Sequence, residues 1–284
     1  MMKVGFIDYY LDEWHADHYP GMLKETSRGS MEVGYAYGMI PSPRSGKTSE
    51  EWCREHGIQC CETIEEVVEK SDVLMILAPE DAQTHEHLSR KALESGKKTY
   101  IDKTFASSKE MAESIFALAE SCGTPCYSTS ALRYAREYQP YMGRKVQAAA
   151  FVGASDYNNY SIHLLEPMLL MMEGEVRRVM ALTRGDWAQL LLQWEDGRVG
   201  SMLCTGGGTG FTANLLLDRG CEQVEVDSDF FGPFMEGLVR FFETGEVSVP
   251  HEETVRVIAV REAGAKAMER PGEWVEVGRG STGG

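Results

Sequence analysis

Twelve residues near the start of the chain concentrate groups that do chemistry. Asp8-Tyr9-Tyr10-Leu11-Asp12-Glu13-Trp14-His15-Ala16-Asp17-His18-Tyr19 holds four acids, two histidines and four aromatic residues. Three readings of such a stretch are open. Aromatic faces against C–H groups, with acids on hydroxyls, bind carbohydrate, and His15 is the leading candidate for such a substrate contact. On a helix beginning near Asp12, residues Asp12, His15 and His18 share a face and have the donor types for a divalent metal, although no metal is expected. The plainest reading is an acid-capped helix N-terminus with partly buried aromatic rings.

Two further residues have the chemistry of proton transfer. His163 lies in an apolar helical run with Leu164, Leu165 and Met168. It is either a satisfied core histidine or a group whose ordinary pKa suits general acid–base work. Lys103 follows the strand candidate Thr99–Asp102. It is either a solvated lysine or a ligand-facing one, because ligands bind beyond the carboxyl ends of strands in open parallel sheets.

The elements that must position these groups can be read in order. Strand candidates are Lys3–Asp8, Val33–Tyr37, Val73–Ala78, Thr99–Asp102 and Pro125–Ser128. Val73–Ala78 is apolar on both faces, as a central parallel strand requires. Helices between them open on capping-box patterns, Thr48-x-x-Glu51, Thr63-x-x-Glu66 and Ser107-x-x-Glu110. After Ser107, the residues Met111, Ile115, Leu118 and Cys122 share a helical face. Gly96 and Gly123 sit at expected C-caps. This βαβ alternation predicts an α/β fold, a Rossmann-like doubly wound parallel sheet over residues 1–128. Residues 129–284 read differently. A helix over Leu164–Met172 contains Pro167, at its first turn or at a kink. Strand-like runs follow at Val179–Thr183, Ala188–Trp194, Arg198–Thr205, Phe211–Asp218 and Glu222–Val226, with a hairpin signal at Glu195-Asp196-Gly197. Helices around Phe230–Thr244 and Glu252–Glu269 complete an α+β domain with a mostly antiparallel open sheet.

A dinucleotide-binding unit carries G-x-G-x-x-G between its first strand and helix, so that backbone N–H groups can approach a pyrophosphate. Here those three positions hold Asp8, Tyr10 and Glu13. A carboxylate about 4 Å from one phosphate charge is repelled by roughly 1 kcal/mol in water and about 4 kcal/mol at an effective dielectric of 20. Gly278-Arg279-Gly280-Ser281-Thr282-Gly283 matches the glycine pattern letter by letter, but no helix can follow it to supply a dipole, and it reads as a flexible terminus.

Four segments, in order, resemble the glucose–fructose oxidoreductase / inositol dehydrogenase / rhizopine-catabolism (Gfo/Idh/MocA) family. They are Val4-Gly5-Phe6-Ile7 followed by His15-Ala16; Ser71-Asp72-Val73-Leu74-Met75-Ile76-Leu77-Ala78-Pro79 with His85; Ala92-Leu93-Glu94-Ser95-Gly96-Lys97-Lys98-Thr99-Tyr100-Ile101-Asp102-Lys103-Thr104; and Asn159-Tyr160-Ser161-Ile162-His163-Leu164-Leu165-Glu166. The segment from Phe230-Phe231-Gly232-Pro233-Phe234 through Gly245 resembles the family's late helix. The resemblance spans nearly the whole chain, which is shorter than typical members, mainly between Arg133 and His163. It implies that Lys103 and His163 are catalytic, the histidine accepting a hydroxyl proton while the lysine stabilises the developing alkoxide. It implies cofactor contacts at Ile7, Asp8, Tyr9, Tyr10, Ala78, Pro79, His85 and Asp102, and substrate contacts at Asn159, Tyr160, Glu166, Arg133 and His15. The cofactor implied is NAD or NADP, or none if the altered turn excludes it. The chain departs from the family pattern at that turn, at Asn159, at Thr104, and at Gly38 or Met39, where an acid usually reads the ribose.

The expected function is an NAD(P)-dependent oxidoreductase acting on a sugar, cyclitol or related hydroxy compound. The alternative is a cofactor-independent sugar-binding protein, lyase or epimerase on the same fold. The open sheet of the second half is expected to pair subunits into a homodimer or homotetramer. With 28 Lys and Arg against 44 Asp and Glu, the net charge is −16. That disfavours nucleic acid and anionic membrane as partners and leaves a small, carbohydrate-like molecule. Seven cysteines with no repeated pairing motif, no apolar run long enough to span a bilayer and no leader before the first strand suggest reduced thiols in a cytoplasm.

Overall fold

The computed structural model describes residues 1–278. All of the glycine-rich terminal motif except Gly278 therefore lies outside the described residues. The chain runs β1 (Met2–Asp8), α1 (Trp14–Thr26), β2 (Met31–Gly38), α2 (Ser49–His56), β3 (Gln59–Cys60), α3 (Ile64–Lys70), β4 (Val73–Ile76), α4 (His85–Glu94), β5 (Thr99–Ile101), α5 (Lys109–Ser121) and β6 (Cys126–Tyr127). It continues through β7 (Ala148–Gly153), α6 (Tyr157–Met172), β8 (Val176–Arg184), β9 (Trp187–Trp194), β10 (Val199–Cys204), β11 (Thr212–Leu217), β12 (Gly220–Glu225), α7 (Phe231–Thr244), α8 (His251–Met268) and β13 (Trp274–Glu276). Two compact units result. One comprises Met1–Thr129 with Gly232–His251, and the other comprises Ser130–Phe231 with residues 252–278.

The first unit holds a six-stranded, all-parallel sheet in the order β3-β2-β1-β4-β5-β6. Every residue of β4 is buried, as its unbroken apolar run requires. β1 is crossed so closely by α3 that a Cβ on Gly5 would lie 2.3 Å from Ser71 Oγ and 2.6 Å from Val67 Cγ1, which reserves the position for glycine. The capping box at Thr48 forms with both of its bonds. Thr63 caps α3, but the Glu66 carboxylate accepts from Glu62 N instead of closing a box. The cap of α5 is Ser108, one residue later than the pattern at Ser107 suggests, and the buried face is Ala112, Ile115, Phe116 and Ala119. Gly96 and Gly123 adopt φ of 75° and 66° at the expected helix ends.

α7 belongs to this unit through aromatic contacts. Phe234 lies 6.0 Å from Tyr19 and 5.8 Å from Tyr100, and Phe241 lies 4.8 Å from Tyr127, between ring centroids. Burying each such ring contributes about 1.5–3 kcal/mol. Lys98 Nζ donates to the carbonyls of Phe242 and Glu243 at 2.6 and 2.9 Å, placing a cation at the helix C-terminus.

The second unit is a seven-stranded sheet in the order β12-β11-β7-β10-β9-β8-β13. It is antiparallel except for the β7–β10 pair. β7 is an additional strand that the sequence reading leaves out: its Ala-rich stretch has little propensity of its own, and pairing on both sides creates it. The hairpin at Glu195-Asp196-Gly197 joins β9 to β10 with Gly197 at φ 91°. α6 begins at Tyr157, seven residues before the sequence-based start, so Pro167 lies in its interior. The proline has no N–H, and the carbonyl of His163 loses its i+4 donor. Tyr157 OH donates to the Arg261 carbonyl at 2.6 Å, and a Cβ on Gly264 would stand 2.2 Å from that hydroxyl. This fixes the start of α6 against α8. The opposite sheet face carries exposed Leu182, Trp187, Leu191, Val199, Leu216 and Trp274.

Candidate active site

The second unit assembles one group around His163. A short 3-10 turn over Ala131–Tyr134 is capped by Ser130, whose hydroxyl accepts from Leu132 N at 3.1 Å. The same hydroxyl lies 2.6 Å from His163 Nδ1. Ser130 N donates to Glu166 Oε2 at 2.7 Å, one helical turn on from His163. Arg133 reaches Glu166 Oε1 at 3.3 Å and Glu253 Oε2 at 2.8 Å. Serine, carboxylate and guanidinium thus form one network that orients the imidazole. Tyr160 sets its ring edge-on to His163 at 5.3 Å and parallel to Phe211 at 6.5 Å. Asn159 donates its side-chain amide to Asp156 Oδ2 at 3.1 Å, within the N-cap of α6. Of the sequence-based substrate residues, Tyr160 contacts His163, Glu166 and Arg133 are linked to it through Ser130, and Asn159 serves the cap. Ser130 and Glu253 were missed; neither carries a local motif, since their roles depend on contacts 33 and 120 residues away along the chain.

The first unit assembles a different group at the carboxyl end of its sheet. Glu13 caps α1, with its carboxylate accepting from His15 N at 2.8 Å and from Ala16 N at 2.5 Å. Its Oε2 lies 2.9 Å from His15 Nδ1, and His15 Nε2 lies 3.7 Å from Asp102 Oδ2. Asp8 is buried and accepts from Ala78 N at 2.9 Å. Burial first, and the Glu13 charge second, hold its carboxyl well above the usual carboxylate range. The second oxygens of Asp8 and Asp102 are buried without a hydrogen-bond partner among the described residues. Each buried unsatisfied group of this kind costs about 1–3 kcal/mol. Tyr10 is buried and donates to Glu80, which also pairs with Arg44. Ile7 and Pro79 are buried beside them and Tyr9 is half-buried. His85 is enclosed, its two ring nitrogens 3.0 and 2.6 Å from the carbonyls of Phe105 and Leu77, and burial lowers its pKa. Lys103 is half-buried two residues beyond β5, at a cis peptide to Thr104.

The Asp12-His15-His18 face does not assemble. With Glu13 as the cap, Asp12 falls outside the helix, where its carboxylate accepts from Ser45 Oγ at 2.6 Å and pairs with Lys47 at 3.0 Å. His18 stacks on Trp14 with its Nδ1 2.7 Å from the Trp14 carbonyl. No group of three or more metal-capable side chains forms among the described residues, and no helix among them is long and apolar enough to cross a membrane.

The turn after β1 does not fit the pyrophosphate of a dinucleotide. The N–H groups that would receive it, those of His15 and Ala16, already bond to the Glu13 carboxylate. Tyr10 stands at the second glycine position, buried and bonded to Glu80, and Asp8 adds a buried acid at the strand end. At the end of β2 stands Gly38, where a Cβ would lie 2.6 Å from Ser49 Oγ. That leaves no room for an acidic side chain in this backbone arrangement.

Residues 40–129 match the model of an oxidoreductase family, GFO_IDH_MocA, described as having an NAD-binding Rossmann fold. The match begins after the altered turn. No curated protein matches the chain. Among solved structures, GenD2 from gentamicin A biosynthesis, in complex with NAD, superposes with a TM-score of 0.78 at 14% identity, covering 98% of this chain and 97% of that one. Scyllo-inositol dehydrogenase from Lactobacillus casei, with bound NAD(H) and scyllo-inositol, gives 0.78 at 13% identity over 98% and 99% of the two chains. The WlbA dehydrogenase from Bordetella pertussis, with NADH and UDP-GlcNAcA, gives 0.74 at 12% identity over 98% and 99%. At these identities the likeness is one of fold.

Proposed function

We propose that this chain, a member of the Gfo/Idh/MocA oxidoreductase family, is an enzyme acting on a sugar, cyclitol or related hydroxy compound, with His163 moving the substrate hydroxyl proton. The observation that carries this reading is the Ser130–His163 pair, backed by Glu166, Arg133 and Glu253. The Ser130 hydroxyl oxygen accepts from Leu132 N–H with one lone pair and from His163 Nδ1–H with the other, which fixes the tautomer whose Nε2 lone pair takes a proton from substrate. Tyr160 and Phe211 supply the aromatic surface for a sugar's C–H face. Lys103 takes the alkoxide-stabilising role that the family resemblance gives it.

Family membership supports the oxidoreductase form of this chemistry, in which NAD or NADP accepts the hydride. The Glu13 cap favours the cofactor-free form, elimination or epimerisation, in which His163 takes a C–H proton made acidic by an adjacent substrate carbonyl and no dinucleotide is needed on the β1–α1 turn. We also propose that the exposed apolar sheet face of the second unit pairs subunits into a dimer or tetramer.

The test is turnover of a panel of inositols, aldoses and sugar acids, each with NAD+, with NADP+ and with neither, followed by chromatography for products. Activity that His163→Ala abolishes is the expected result. Activity that survives this substitution overturns the assignment of His163. Product formed only with a nicotinamide identifies the redox form.

A further inference from the structure

We infer that the dinucleotide crevice of this fold is occupied by the chain itself: the Glu13 carboxylate takes the place of a pyrophosphate on α1, and a Tyr10–Glu80 strap closes the sheet end between β1 and β4, so that no free nicotinamide dinucleotide binds. The inference concerns the first unit alone. It rests on the family reading above for the cofactor in question, and it selects the cofactor-free form of the proposed chemistry.

The strap lies across the place where a ligand would enter. In an open parallel sheet the crevice sits outside the carboxyl ends of the strands, where the strand order reverses. In the order β3-β2-β1-β4-β5-β6 that point falls between β1 and β4. Two side chains cross it. Asp8, the last residue of β1, accepts from Ala78 N beyond the end of β4 at 2.9 Å. Tyr10, two residues on and only 4% exposed, donates its hydroxyl to Glu80. Glu80 also pairs with Arg44, in the segment that joins β2 to α2. Asp12 holds the same segment through Ser45 Oγ at 2.6 Å and Lys47 Nζ at 3.0 Å. Side chains thus tie together the connections that follow β1, β2 and β4. Arg44 and Lys47, the two cations of the β2–α2 segment, are engaged with carboxylates, Lys47 with Glu55 as well. A phosphate would compete with those carboxylates for either.

Glu13 accounts for the helix end. A helix N-terminus attracts an anion because its first N–H groups are unsatisfied and its dipole is positive there. On α1 the anion is internal. The Glu13 carboxylate, 5% exposed, accepts from His15 N at 2.8 Å and from Ala16 N at 2.5 Å. Carboxylate and phosphate alike present oxygens to neighbouring N–H groups, so the substitution is one of like for like. A tethered group competes at an effective concentration of about a millimolar or more. A dinucleotide would have to expel Glu13 and also part Tyr10 from Glu80.

The experiment measures binding, without turnover, on the full chain. NADH and NADPH are titrated by fluorescence, and NAD+ and NADP+ by the rise in melting temperature they cause. Two variants are compared with the parent. In Glu13→Ser the serine still caps the helix but carries no charge. The double variant Tyr10→Gly, Glu13→Gly returns two of the three positions to glycine and cuts the strap. The parent should show neither saturation nor a melting shift up to about 1 mM of any of the four. Glu13→Ser should saturate below about 1 mM with at least one of them, and the double variant about tenfold lower still. Parent binding at micromolar strength overturns the inference. So do variants, folded by circular dichroism, that bind no better than the parent, since Glu13 would then be a cap and nothing more. If the double variant does not fold, Glu13→Ser decides alone. A parent that binds NADH tightly while His163→Ala abolishes turnover sinks this inference and leaves His163 in place. Turnover that survives His163→Ala leaves the binding result untouched.

Discussion

The hydroxyl of Ser130 lies 2.6 Å from Nδ1 of His163, and it is joined to the helix carrying that histidine a second time, through its own N–H and the Glu166 carboxylate. Ser130 therefore positions the imidazole without being required to touch substrate. Ser130→Ala is expected to lower kcat by about tenfold to a hundredfold with little change in KM, and to displace the acid limb of the pH–rate profile. Loss of the cap costs about 1 kcal/mol of stability. Ser130→Thr, which keeps the hydroxyl, restores most of the rate. Steady-state kinetics across pH separates these outcomes, and a uniform loss that Thr does not rescue would mean that Ser130 is only structural.

His163 itself is expected to be indispensable. Replacing it with Gln, similar in size and polar but unable to cycle a proton, lowers kcat by about 10²–10⁴-fold. Substrate affinity, measured by calorimetry, stays within about threefold. Retention of rate in that variant would transfer the proton work elsewhere.

Asp8 makes stability depend on pH with a defined sign. Burial, then the Glu13 charge, raises its folded-state pKa well above the ordinary value. The folded chain therefore keeps a proton where the unfolded chain has lost it. Stability falls as pH rises from the ordinary carboxylate range, about 4, through the raised value, by at most about 1.4 kcal/mol per pH unit. Asp8→Asn is neutral at every pH and keeps the Oδ1 acceptor for Ala78 N–H. Thermal melts from about pH 5 to about pH 8 should show the variant gaining on the parent as pH rises. A constant difference would mean that Asp8 titrates normally.

Arg133 bridges Glu166 and Glu253. Arg133→Met leaves the largely buried Glu166 without its cation. The loss is about 2–4 kcal/mol, below that of a fully buried pair because Glu253 is partly exposed. The Arg133→Met, Glu166→Gln double variant should recover part of that loss in denaturant unfolding, since no buried charge is then left unpaired. Additive losses would argue that the three side chains do not act as one network.

The exposed row Leu182, Leu191 and Trp274 crosses adjacent strands of one sheet face. Light scattering of the parent should give a multiple of 31.7 kDa. Leu191→Lys, central on that face, should shift the population to monomer. A monomeric parent removes the proposed interface.

Much of the architecture is legible in the sequence because it depends on local signals. The all-apolar Val73–Ala78 run, the Thr48 capping box and the Glu195–Gly197 turn each report their own structure within a few residues. The first unit's sheet follows from them. Three features escape such reading for one shared reason. β7 exists because β10 and β11 pair with it. Ser130 matters because α6 brings His163 to it. The Asp12, His15 and His18 spacing is correct for one helical face, but Glu13 takes the cap and starts the helix after Asp12. A single capping choice, decided by which carboxylate reaches two N–H groups, thus rearranges the chemistry of the whole turn.

The helix Phe231–Thr244 supplies Phe234 and Phe241 to the aromatic layer around Tyr19, Tyr100 and Tyr127. Those tyrosines leave the ribosome a hundred residues or more before their partners do. During synthesis the nascent six-stranded sheet must therefore wait, with part of its apolar surface uncovered, while the whole seven-stranded sheet except its edge strand β13 is translated. A fragment ended after Thr129 would keep that surface permanently bare and should associate or be degraded, whereas one that also carries residues 232–251 on a linker could close it.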